Sequence, residues 1–210
     1  KSVPPASTIT GILRRHGCLD AQESEKHRAY SRFEQVAPNE MWQMDFKGHF
    51  ALAQGRCHPL TVLDDHSRFN VLLRACANEQ GATVQAALTE TFRRYGLPER
   101  MTMDHGSPWG ADPAHPLTTV TVWLIQLGIR IGHSRPYHPQ TQGKDERFHR
   151  TLAVECLRAR PFRDLAQCQG KFNDFRHIYN FERPHEALGL AVPASRYTPS
   201  PRAFPEGLPL

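Results

Sequence analysis

The spacing of apolar residues changes partway along this chain, and that change restricts the fold more than any other feature. Up to residue 75 the apolar positions come in short β-type runs. In 41–50, Trp42, Met44 and Phe46 fall on one face and Gln43 and Asp45 on the other. The runs 59–63 (PLTVL) and 69–75 (FNVLLRA) are separated by the turn sequence Asp64-Asp65-His66-Ser67. Such tight connections predict an antiparallel meander. From residue 84 the period lengthens. Val84, Leu88, Thr91, Phe92 and Tyr95 recur at helical spacing, and Gly96 and Pro98 end the pattern. A short strand follows over 100–104 (RMTMD). Residues 117–128 are ambiguous: the β-branched TTVTV favours a strand, whereas Leu117, Val120, Leu124 and Leu127 share one helix face. A helix is the better reading, because two parallel strands need a crossover between them. The spacing then predicts a strand over 129–134, a loop over 136–143, a helix from 144 to about 158, and a last helix carrying Leu165, Cys168, Phe172, Phe175 and Tyr179. The order βββαβαβαα describes an α/β domain: a five-stranded mixed sheet, three antiparallel strands then two parallel, flanked by helices.

At 210 residues the chain suits one domain with flanking segments. Residues 1–40 read as a lead-in, with an amphipathic helix over 7–16 capped by Ser7 or Thr8 and stopped by Gly17, then a polar stretch over 20–35. Residues 41–197 form the core. The Pro-rich end, 198–210, is expected to be extended and poorly ordered on its own. Lysine and arginine number 26 against 21 acids, a net charge of +5, which suits a polyanionic partner without proving one. No apolar stretch approaches the roughly 18 residues of a membrane helix, so no membrane is expected. The chain opens on Lys1 without a charged-then-apolar leader, which suggests a fragment and no secretory signal. The five cysteines (18, 57, 76, 156 and 168) form no CxxC and no even framework, which points to a reducing compartment. His16, Cys18, His27 and Cys57, or His133 and His138, fit no zinc spacing.

Three acids stand at the ends or edges of the predicted elements. Asp45 interrupts an apolar strand, where a carboxylate is unfavourable unless something compensates it. Asp104 ends a strand ahead of His105-Gly106-Ser107-Pro108, and Glu146 falls in the first turn of the helix predicted from 144. Gathered together they would bind hard divalent cations through oxygen. Taken singly, each has a plainer reading as a solvated edge residue, a turn former or a helix-dipole partner.

The segments MWQMDFKGHF, TVLDDHSRF, MDHGSPW, SRPYHPQTQGKDERFHRTLAVE and YNFERPHEALG, running in order over 38–197, resemble the catalytic core of DDE transposases and retroviral-type integrases, most closely the bacterial insertion-sequence transposases. The resemblance implies an RNase H-like fold. It also implies a catalytic, metal-binding triad of Asp45, Asp104 and Glu146 that holds Mg²⁺, with Mn²⁺ as substitute and two ions in all. Two departures stand out. The interval from Asp104 to Glu146 is longer than in the compact family pattern, with the surplus at 109–116, and His105 replaces an Asn common in relatives. Asp145 is a rival for Glu146; a helix turns about 100° per residue, so only one of them can face the metals, and the family register favours Glu146.

The implied chemistry is phosphodiester hydrolysis at transposon ends, then transfer of the freed 3′-hydroxyl into target DNA. Arg135, Tyr137, His138, Gln140, Gln142, Lys144, Arg147, His149 and Arg150 mix cations, amides and an aromatic ring as DNA contacts do. His149 and Arg150 share a helix face with Glu146, and Lys144 and Arg147 lie nearer the rim. Asp65 and Ser67 read as caps of their turn, Arg183 as an organiser of the last loop or a DNA contact, and residues 1–40, by the same resemblance, as the remnant of an N-terminal helix-turn-helix region and linker. The reaction implies a homo-oligomer on DNA and a bacterial cytoplasmic setting at the nucleoid. The alternatives are an RNase H-like nuclease that only hydrolyses, or an inactive DNA-binding remnant.

Overall fold

The computed structural model describes residues 6–18, 34–104, 106–110, 117–133, 139–158 and 161–207. They fall into two units, 1–33 and 34–210. The first contributes helix α1 (Ala6–Arg15), which closes at Gly17 with φ 65°. This helix is already under way at Ser7 and Thr8, so neither caps it. Of the polar stretch over 20–35, only residues 34 and 35 are described.

The second unit is a mixed sheet with helices on both faces. Strand β1 (Trp42–Phe46) lies antiparallel to β3 (Arg56–Asp64), which pairs in turn with β4 (Asn70–Cys76). On its other side β1 runs parallel to β5 (Arg100–Met103), which runs parallel to β6 (Arg130–His133). These are the five strands expected, in the expected sense. A sixth, the two-residue β2 (Phe50–Ala51), pairs with the start of β3 and splits the single run predicted over 41–50. Gly48, at φ 75°, lies between β1 and β2.

Alternation along β1 and β3 separates two cores. Trp42, Met44, Leu60 and Val62 pack with Val84, Leu88 and Phe92 of helix α2 (Gly81–Tyr95) and with Val120 and Leu124 of helix α3 (Thr119–Gln126). Thr118 and Thr121 cap α3 reciprocally, which decides the ambiguous stretch in favour of a helix. On the opposite face Leu63, Leu73 and Cys57 meet Phe148 and Leu152 of helix α4 (Pro139–Leu152) and Phe172 and Phe175 of helix α5 (Leu165–His177). Each of these last helices runs on into a π-helical turn, Ala153–Leu157 and Ile178–Glu182. Helix α4 starts at Pro139, five residues before the predicted start. Pro is well placed at a first helical position, where its missing N–H has no partner to lose. Glu146 is therefore beyond the first turn, and the dipole argument for it lapses.

The C-terminal segment is extended but not loose. The amide of Ser200 donates to Tyr95 O at 2.8 Å, and Leu97 N donates to Arg202 O at 2.7 Å. The Arg202 guanidinium donates to Pro98 O at 2.6 Å and Gly128 O at 3.0 Å, and Phe204 stacks on Phe92. Through 207, the expectation of poor order is corrected: local composition could not reveal the main-chain partners waiting at the ends of α2 and α3.

Candidate active site

Asp45 sits on the α4 side of β1, one residue from the strand's end. Asp104 follows the last residue of β5, the parallel neighbour of β1. Adjacent parallel strands thus bring the two carboxylates to the same end of the sheet. Their proximity is electrostatically visible. Burial, and next the charge of Asp104, push the Asp45 carboxyl up from 3.8 to about 7.

Each acid is held by its surroundings. The Asp104 Oδ1 accepts from the Gly106 amide at 2.8 Å and from the Trp109 indole Nε1 at 2.6 Å. Trp109 is buried and stacks on Phe46, with ring centres 5.2 Å apart and planes 8° from parallel. The loop after β5 is thereby fastened to the end of β1. A Cβ on Gly106 would stand 3.1 Å from Asp104 Oδ2, so a side chain there would crowd the carboxylate. Beside Asp45, Thr61 Oγ1 donates to the Asp45 backbone oxygen at 3.0 Å and lies 2.9 Å from His149 Nε2. With the hydroxyl proton given to the carbonyl, Nε2 is the protonated nitrogen. Nδ1 then turns its lone pair toward Asp45 Oδ2, 3.8 Å away. Burial, reinforced by Lys47, lowers the His149 pKa to about 4. The ring is therefore neutral at pH 7, and its approach to Asp45 is not an ion pair.

Glu146 and Asp145 part company on α4. Glu146 is exposed, one turn before His149. Asp145 is 5% exposed, its Oδ1 has no hydrogen-bond partner, and burial followed by the Asp45 charge raises its pKa well above the ordinary range. Asp145 is thus a buried acid whose ionisation burial opposes, whereas Glu146 faces solvent. Among the described residues, no three His, Cys, Asp or Glu side chains form a ready metal cage. The charge of Asp104 acts on Asp45, and Glu146 is exposed on α4. Crowded oxygen donors beside a neutral imidazole are nonetheless the donor set a hard dication suits, because a cation relieves the repulsion that lifts Asp45.

The remaining predicted DNA contacts divide. Arg147 and Arg150 are exposed on α4. Arg135, Tyr137 and His138, and the side chains of Gln140 and Gln142, lie outside the described residues, as does His105. Lys144 does not reach the rim: its side chain is 14% exposed, and its Nζ pairs with Asp65 Oδ1. Asp65 is also not the turn cap. That role falls to Asp64, whose Oδ1 accepts from the Ser67 amide at 2.8 Å and its hydroxyl at 2.5 Å, and whose Oδ2 accepts from Asn39 N at 2.7 Å. Asp65 turns inward instead, taking Gln43 Nε2 at 2.6 Å and Gln35 N at 2.9 Å. Arg183 pairs with Glu155.

A family model described as Integrase core domain matches residues 35–139, and a second of the same description matches 127–193. The insertion element IS476 uncharacterized 39.2 kDa protein of Xanthomonas euvesicatoria is 31% identical over 157 residues, 75% of this chain and 44% of that protein. The IS407 uncharacterized 31.7 kDa protein of Burkholderia multivorans is 30% identical over 159 residues, 75% of this chain and 55% of that one. This chain thus spans about half the length of these relatives. Among solved structures, a simian T-cell lymphotropic virus intasome bound to the PP2A regulatory subunit B56 gamma superposes with a TM-score of 0.65 at 16% identity, covering 95% of this chain and 74% of that one. The HTLV-2 integrase catalytic core domain, in complex with magnesium and in a trimeric form, gives 0.57 at 13% identity, covering 79% and 100%.

Proposed function

Because this chain belongs to the integrase core domain family and has the RNase H-like fold, we propose that it is the catalytic core of an insertion-sequence transposase. Its reactions would be hydrolysis of a phosphodiester at the element's DNA ends and transfer of the resulting 3′-hydroxyl into target DNA. The observation that carries this reading is that adjacent parallel strands bring Asp45 and Asp104 to the same end of the sheet, where burial and next the Asp104 charge lift Asp45 to about 7. Asp45, Asp104 and Glu146 would hold a pair of Mg²⁺ ions, with Mn²⁺ as substitute. Bound there, the ions supply charge stabilisation at phosphorus and a more acidic attacking water or hydroxyl. Glu146 is preferred over Asp145 because it is the solvent-open acid in the register that resembles the family, whereas Asp145 is buried.

The protein's own groups fix the geometry. Thr61 holds the main chain of Asp45 and meets His149, and Gly106 and Trp109 aim Asp104. Arg147 and Arg150, exposed beside Glu146, would neutralise phosphates, which positions DNA without reading its sequence. Assembly as an oligomer on DNA, in the bacterial cytoplasm at the nucleoid, belongs to the same proposal.

The test is Mn²⁺- or Mg²⁺-dependent strand joining on a branched DNA that mimics the strand-transfer product. Glu146→Gln should lower the rate at least ~100-fold, the scale of losing one charge-stabilising group from a transition state, while Asp145→Asn should retain activity. Hydrolysis without joining would point to the nuclease. Full activity in Glu146→Gln, with loss in Asp145→Asn, would transfer the role to Asp145.

A further inference from the structure

We infer that Asp65 is a positioning residue, a buried carboxylate that ties the strand bearing Asp45 to the helix bearing Glu146. The inference rests on Glu146 being the third metal ligand. Asp65 is 1% exposed, at the β3–β4 turn. Its Oδ1 accepts from Gln43, two residues before Asp45 on the same face of β1, and from Lys144, two residues before Glu146 on α4. Its Oδ2 accepts from the Gln35 amide, which fixes the carboxylate's plane. Gln43 is 2% exposed, so every link from β1 to α4 is shielded from water.

The placement along α4 gives the tie its purpose. The helix's large apolar anchors, Phe148 and Leu152, come after Glu146 and dock on the second core. They hold the C-terminal half of the helix. Lys144 fastens the half that precedes Glu146, so the acid lies between two points of attachment. A buried ion pair contributes little net stability compared with a well-packed apolar pair. What it does supply is direction: the Lys144–Asp65 pair favours one rotation of the helix, and that rotation decides whether residue 145 or 146 meets solvent.

The test is calorimetric titration of the 210-residue chain with Mn²⁺ alone, without DNA. Glu146→Gln should weaken Mn²⁺ binding, and Lys144→Met should weaken it at least about 5-fold. The double variant should be no weaker than Glu146→Gln alone, within about 2-fold, because a residue acting through Glu146 has nothing left to act on. Lys144→Arg, which keeps a cation within reach of Asp65, should restore wild-type affinity. Asp65→Asn keeps the shape but loses the charge; it should weaken binding in the same way and serves if Lys144→Met does not fold. Wild-type affinity in folded Lys144→Met, or losses that multiply in the double variant, would overturn the positioning role. If Glu146→Gln itself leaves Mn²⁺ affinity unchanged, the ligand role of Glu146 falls, and the positioning role falls with it.

Discussion

Replacing Asp45 with Asn should abolish strand joining and yet stabilise the metal-free domain above neutral pH. Burial and the Asp104 charge lift the Asp45 carboxyl from 3.8 to about 7. At about 1.36 kcal/mol per tenfold step, ionising a fully shielded group with that shift would cost about 4 kcal/mol. The Asp45 side chain is 32% exposed, however. Solvent screening reduces the figure to roughly 1–2 kcal/mol. In a unit spanning 34–210, that is roughly 3–6 °C in Tm. The sign follows from linkage. Between pH 3.8 and about 7 the native state binds this proton more tightly than the unfolded chain does, so wild-type stability falls as pH rises through that window. Asn escapes the loss. Thermal denaturation in EDTA should therefore show no gain for Asp45→Asn at pH 4 and the full gain at pH 8. Mn²⁺ should raise the wild-type Tm and leave the variant's unmoved. A variant no more stable than wild type at pH 8, or equally favoured at both pH values, would refute the crowding of Asp45 and Asp104.

Trp109→Phe should keep the stack on Phe46 but remove the indole donor from Asp104. A hydrogen bond to a charged group is worth about 1.5–3 kcal/mol, so Mn²⁺ affinity should fall about 10-fold; an unchanged titration would make Trp109 purely a packing residue. Gly96→Ala should cost ~2–4 kcal/mol, because φ is 75° and the new Cβ would stand 2.4 Å from Ser200 O. Limited proteolysis should then cut beyond Tyr197 faster than in wild type. Gly189→Ala shares a positive φ but meets open space, so it should cost only ~1 kcal/mol and leave the C-terminal segment protected. Equal damage from both would mean that backbone strain, not the tail's docking, governs Gly96.

What could be read from the sequence was what local period and turn chemistry encode. The alternation at Trp42, Met44 and Phe46 gave the correct face to Asp45, and the apolar stripe at Leu117–Leu127 correctly outweighed its β-branched residues. Asp45 and Asp104 were legible as acids at strand ends, and adjacency in a parallel pair then brought them together. What local sequence could not carry was the identity of distant partners. Lys144 looks like any cation in a basic run until Asp65, 79 residues away, is seen to receive it. The Pro-rich end looks loose until the free carbonyls at Tyr95, Pro98 and Gly128 are in view. The start of helix α4 is masked locally because PQTQG reads as a loop, although Pro139 suits a first turn. The π-helical turns ending α4 and α5 have no sequence signal of their own.

The β3–β4 turn bears on how the domain acquires its structure in time. A hairpin is local and closes within about 1–10 μs. This one carries two adjacent acids, Asp64 and Asp65, at 0% and 1% exposure. Ser67 is a local donor, through its amide and hydroxyl, to Asp64. Asn39 comes from 25 residues upstream and Lys144 from 79 residues downstream. Until those segments arrive, docking the hairpin would strip water from two carboxylates with little beyond Ser67 to replace it. A locally closing element is thus disfavoured from burying itself early. Its desolvation coincides with arrival of the lead-in and of α4, and local hairpin formation and long-range assembly become a single all-or-none event.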